Sequence, residues 1–191
     1  MIVLVLGLVL FLGAHSLPMV PTARAAVIAR LGDNGHKGLH SLAAAAGIGL
    51  IVWGFGLARW EGAPLLWQSP PAMRWVAVVA LVPVFPLILA AFLPGRIGRL
   101  IAHPMLTGVT LWAFAHLLFV GSAPGVALFA SFLVWGLADR RSLIRRGAGR
   151  TAPPLPPFGR GDALAVGLGL ALWLVTVTWS HLFLFGVSPL G

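Results

Sequence analysis

Long stretches without a charged side chain constrain this chain more than any other feature. No Asp, Glu, Lys or Arg occurs from Met1 to Ala23, from Leu39 to Ala58, or from Ala163 to the last residue. Backbone amides and carbonyls placed in hydrocarbon must find partners within the segment, which makes such stretches helical. A run of about 20 apolar residues matches the hydrocarbon thickness of a bilayer. Only 9% of the residues are charged, against roughly a quarter in a soluble domain, and the mean hydropathy is +0.98. The expected fold is all-α: a polytopic transmembrane helix bundle of about six spans, or five if the fifth segment does not cross.

The spans are placed at Met1 to about Val20, Leu39 to Ala58, Met73 to Phe92, Pro104 to Val120, Val126 to Ala138 and Ala163 to Gly186. The first has no basic residue before its apolar run, unlike a secretory signal. It is therefore expected to be retained, with Pro18 near its end. The first loop, Pro21 to Gly38, is expected to hold a short interfacial helix over Ala23 to Leu31. Pro83 and Pro86 should break the helical ladder of the third span. Pro104 suits the first helical position of the fourth. The fifth is short unless it extends through Asp139-Arg140-Arg141. Residues 142–161 are basic and then proline-rich, as in a linker that cannot build a core. Asp162 is placed to cap the last span. The whole chain, 1–191, is expected to be a single transmembrane domain.

Charge sets the orientation. Loops one, three and five hold eleven Lys and Arg residues, and the opposite side holds Arg59 and Arg74 alone. The positive-inside rule then places both termini outside the cytoplasm. The formal charge of +9 belongs to these loops, where it meets anionic lipid headgroups; no nucleic-acid partner is expected. Cysteine and tyrosine are absent, which removes thiolate catalysis, disulfides and iron–sulfur ligation.

Chemistry therefore falls to six histidines: His15, His36, His40, His103, His116 and His181. No HExxH motif occurs. No helix is expected to supply two ligands one turn apart, so a metal or haem site must draw on different helices. His116 lies about twelve residues into its span, roughly 18 Å from the cytoplasmic end, and an ionisable group at that depth should face the bundle interior. Two readings stay open: a neutral imidazole bonded to a backbone carbonyl, or a haem or metal ligand. His15 is either an interfacial anchor or a second ligand, and the expected depths permit a bis-histidine pair. His103 is either the cap of its helix or a ligand. His181 is a substitute for either favoured ligand. Proline kinks at mid-depth would suit a transporter, but no span carries a mid-membrane carboxylate and no inverted repeat is visible.

Several short motifs, in order, resemble the NnrU family. They are Gly13-Ala14-His15-Ser16, His36-Lys37-Gly38-Leu39-His40-Ser41-Leu42, Ile51-Val52-Trp53-Gly54, His103-Pro104, Ala115-His116-Leu117-Leu118 and Asp139-Arg140-Arg141. The resemblance implies a bacterial inner-membrane protein linked to nitrite and nitric oxide metabolism, or denitrification. Plant cis-zeta-carotene isomerases share the domain. Their likeness implies haem b, with His15 and His116 at the ligand positions, and a haem-dependent isomerase or redox activity on a hydrophobic small molecule. Those isomerases carry a cysteine three residues before the second histidine, where this chain has Ala113. The family's Lys-Gly-Leu-Tyr-Ser pattern has His40 in place of the tyrosine. The alternative within the family is a non-catalytic accessory or assembly factor, with a homo-oligomer or a membrane complex as partner. A second likeness, to isoprenylcysteine-type membrane methyltransferases, rests on His103-Pro104 with Gly108; Ala102 stands where that motif has arginine, and no downstream carboxylate matches.

Overall fold

The computed structural model describes residues 1–147 and 154–191. Among these the secondary structure is helical, apart from an isolated antiparallel bridge between Leu65 and Ser122. The helices are α1 (Ile2–Ser16), α2 (Pro21–Trp60), α3 (Ala72–Ala80), α4 (Val84–Ala90), α5 (Arg96–Leu100), α6 (Pro104–Leu117), α7 (Ala123–Arg145), α8 (Arg160–Val175) and α9 (His181–Phe185). Among the described residues, Ile2–Met19, Pro21–Trp60, Ala72–Ala90 and Arg160–Phe185 are long and apolar enough to cross a membrane. The protein is an all-α, polytopic membrane protein. Large apolar side chains such as Val9, Val52, Val79 and Phe183 are more than half exposed, as lipid-facing positions are. The crossing count is approximate: α6 has 14 residues, short of the roughly 17 a perpendicular crossing needs. α7 does continue through Asp139-Arg140-Arg141, reaching 23 residues.

The chain divides into two compact units, Met1–Trp67 with Gly121–Leu143, and Gln68–Val120 with Ile144–Gly191. In the first, Pro18 lies in a single 3-10 turn, Leu17–Met19, that closes α1. The helix expected over Ala23 to Leu31 is present as the first part of α2, and the rest of the expected first loop beyond Gly32 is helical as well. Pro21, with its φ already helical and no N–H to leave unpaired, starts α2. Gly32 alone leaves the helical region (φ 70, ψ 171), a conformation only glycine adopts without strain. The helix resumes beyond it, where Lys37 pairs with Asp33 four residues back at 2.6 Å.

α1 and α2 pack antiparallel along a seam of glycines. A Cβ on Gly47 would lie 2.8 Å from the Phe11 backbone nitrogen, one on Gly7 would lie 2.6 Å from that of Ile51, and one on Gly54 would overlap that of Leu4. Small residues of this kind allow close helix approach where no hydrophobic effect drives it. Leu4, Leu8 and Ile51 form the core, with Phe11, Leu12 and Phe55 and with Ala127, Leu128 and Phe132 of α7 packed against it.

In the second unit the third span breaks where its prolines predict. α3 ends at Ala80 and α4 begins at Val84, because Pro83 cannot donate to the preceding turn. α4 carries the buried Val84, Leu87 and Ala90 and receives both α6 and α8. Of the expected 142–161 linker, residues 142–145 continue α7, residues 148–153 lie outside the described residues, and α8 begins at Arg160. Asp162 caps α8 from within its first turn, accepting from the Gly159 N–H at 3.0 Å. It also accepts from the N–H groups of Arg96 and Ile97 at 3.0 and 2.8 Å. One carboxylate, 2% exposed, thus terminates two helices far apart in sequence.

Two outcomes follow. Gly54→Ala should lower the thermal stability of the detergent-solubilised protein by about 1–3 kcal/mol, the usual cost of overpacking. Gly49→Ala on the same helix meets nothing within 4 Å and should leave the melting temperature unchanged. Asp162→Ala leaves three backbone donors without their acceptor, so its melting temperature should fall well below that of Asp33→Ala, which loses only an exposed ion pair.

Candidate functional site

The histidines sit in both units, and the packing that places them differs. In the first unit the α1–α2 seam runs through the pairs Leu4–Gly54, Gly7–Ile51 and Phe11–Gly47. Each advance of three or four residues along α1 is matched by an equal retreat along α2. Continued by one turn, that register brings His15 to the turn of α2 that holds His40. The two rings lie 4.7 Å apart at 60°. The His15 Nδ1 donates to the Phe11 carbonyl, four residues back, at 2.8 Å, and its ring stacks on that of Phe11 at 4.2 Å. Trp135 of α7 meets it edge to face at 6.1 Å.

His36 and His40 fall on one helix, one turn apart, with rings separated by 6.5 Å. This corrects the placement of His36 in a loop and the expectation that no helix supplies a pair. The His36 Nδ1 and the Trp135 Nε1 are buried without a hydrogen-bond partner. Beside the cluster a groove of about 540 Å³ opens between the end of α1 and α7, walled by Ser16, Met19, Ser131, Val134 and Trp135 among others. Its walls carry no charge.

In the second unit His116 repeats the arrangement of His15. Its Nδ1 donates to the carbonyl of Trp112, four residues back, at 2.8 Å, with the two rings 5.3 Å apart. Ala113 and Ala115 beside it are fully buried, and His116 itself is partly buried. His181 follows a π-helical turn, Thr176–Ser180. Gly186 turns the chain back in a left-handed conformation (φ 66), and the Val187 carbonyl accepts from the His181 Nδ1 at 2.7 Å.

His103 occupies the N-cap position of α6, but its side chain makes no capping hydrogen bond. Its Nε2 is buried without a partner. Ala102 before it has φ 60, and the His103 N–H bonds to the Ile101 carbonyl at 2.7 Å, a tight and strained turn.

These bonds decide the tautomers. A carbonyl oxygen only accepts, so Nδ1 carries the proton in His15, His116 and His181, and the neutral ring presents its lone pair at Nε2. Metal-ligating imidazoles are commonly fixed this way, by a backbone carbonyl on the far nitrogen. Carbonyl bonding and ligation, the two readings left open for His116, are therefore compatible. Among the described residues no group of three His, Asp or Glu side chains is arranged to hold a metal ion.

His15, His103, His116 and His181 are thus each placed, His15 in the first unit and the other three in the second. His40 and Trp135 were missed as neighbours of His15, and His36 as the neighbour of His40. The four-residue spacing of His36 and His40 was a readable signal; nothing in the sequence pointed to Trp135. The NnrU protein family matches residues 3–189 of the chain. No curated protein matches it, and no solved structure does.

Proposed function

From its membership of the NnrU family, to which the chain belongs, we propose that this protein binds haem b in the bacterial inner membrane, with the Nε2 atom of His15 and that of His116 as candidate ligands, each within its own unit. The observation that carries the reading is their shared anchorage: in each, Nδ1 is held at 2.8 Å by the carbonyl four residues back. That bond fixes ring orientation and raises the basicity of the outer nitrogen. His181, anchored in the same sense, is the first substitute. His103 is the second, and its buried Nε2 would need a turn of the ring to serve. When bound, the haem supplies a redox-active iron, for nitrite or nitric oxide metabolism or for isomerisation of a hydrophobic molecule. The chain's own part is to supply neutral imidazoles, hold them in one tautomer and surround them with apolar walls. The reading puts both termini in the periplasm, supported by the excess of basic residues in the odd-numbered loops.

Protein purified after expression with ample haem supply should show a Soret band of histidine-ligated haem. His116→Ala and His15→Ala should each remove that signature, while His36→Ala retains it. A colourless wild-type protein would sink the reading. A periplasm-dependent reporter fused to the C-terminus should be active; activity of a cytoplasmic reporter there would overturn the orientation.

A further inference from the structure

His40 brings a second imidazole against His15, and nothing so far employs it. Among the described residues neither of its ring nitrogens makes a hydrogen bond, and it is only partly buried. It lies one turn beyond His36 on the face of α2 that meets the end of α1. Its distance from His15 limits what it can do. A metal sits about 2 Å from a ligating imidazole nitrogen, so two rings trans across one iron have centroids roughly 6 Å apart. His15 and His40 are 4.7 Å apart at 60°, too close for a trans pair, and a haem leaves no cis position open to protein. His40 is therefore not the second axial ligand beside His15.

What it can do is confine the ring. His15 already has one face on Phe11 and its Nδ1 on the Phe11 carbonyl. A single hydrogen bond leaves the imidazole free to swing about its Cβ–Cγ bond whenever that bond opens. A second ring in edge contact blocks the swing. We propose that His40 is a positioning residue for His15: its ring, by contact alone, holds the His15 imidazole on the Phe11 carbonyl with Nε2 turned outward. The placement follows from the glycine seam, whose register delivers His40 to His15. The contact calls for a flat ring at position 40, not for a nitrogen. The proposal rests on the haem reading only in that the nitrogen so presented is the one assigned to iron.

The first test needs no haem. Long-range proton–nitrogen correlation spectra of protein carrying ¹⁵N-labelled histidine report the tautomer of each ring. Wild-type His15 should be a single Nδ1–H tautomer. His40→Ala should give an average of both tautomers at His15, and His40→Phe should restore the single form. An unmixed Nδ1–H tautomer in His40→Ala overturns the proposal, and so does a His40→Phe variant that behaves as His40→Ala does. The second test is on the haem-loaded protein. His40→Ala should weaken haem retention roughly tenfold, the lower end of the loss seen when a ligand's supporting contact is removed. It should also shift the low-spin electron paramagnetic resonance signature, with His40→Phe matching the wild type. If the wild type takes up no haem while the tautomers respond as stated, the haem reading fails and the positioning role stands. If haem binds and neither variant changes tautomer or signature, the positioning role fails and the haem reading stands.

Discussion

Polar groups in hydrocarbon must find their partners inside the chain, and the structure is shaped throughout by that requirement. It makes the spans helical, and it also governs the side chains. The Ser16 hydroxyl donates to the Leu12 carbonyl, Thr110 to Leu106 and Thr178 to Leu174, each four residues back. Ser180 donates five residues back, to Val175, because the helix there is wound as π. His15 and His116 follow the serine and threonine rule with Nδ1. The same need that makes an imidazole tolerable among apolar side chains selects its tautomer, and the tautomer leaves a lone pair at the other nitrogen. A group satisfied for structural reasons is thereby prepared for ligation.

The second determinant is how closely backbones approach. Along α1 and α2 the contact is nearly backbone to backbone, and register there is fixed by glycines, not by interlocking side chains. The ring contact of His15 with His40 follows from that register. Breaks in the helices are as local as their causes. Pro83 interrupts the third span and Gly32 bends α2. Near the start of α8, Asp162 brings three backbone donors onto one carboxylate, which ties the short α5 to a helix more than sixty residues later.

Much of this could be read from the residues. Uncharged runs located the long apolar helices, Pro83 and Pro104 marked a break and a start, and Asp162 marked a cap. The ordered motifs from Gly13 to Arg141 identified the family. The errors have physical reasons. Residues 21–38 looked like a loop because Arg24, Arg30, Asp33 and Lys37 are charged and Gly32, Gly35 and Gly38 disfavour helix. In the structure the charges lie on an exposed helix, and only Gly32 leaves the helical conformation. His36 and His40, four residues apart, were a histidine pair visible in plain spacing. The second role of Asp162 was unreadable, since nothing local records that the backbone of Arg96 and Ile97 would arrive beside it. The strain at Ala102 was equally hidden: alanine has no preference for φ 60, so tertiary packing imposes it.

Departures from the family pattern can be weighed on the same footing. In the plant isomerases that the resemblance brings in, a cysteine is expected where this chain has Ala113, and Ala113 is fully buried. A methyl group there is held by packing and offers no donor atom to a metal. Where the resemblance leads one to expect tyrosine, this chain has His40, whose planar ring lies 4.7 Å from that of His15. His15 is already bonded to its own helix, so what the neighbouring ring adds is contact.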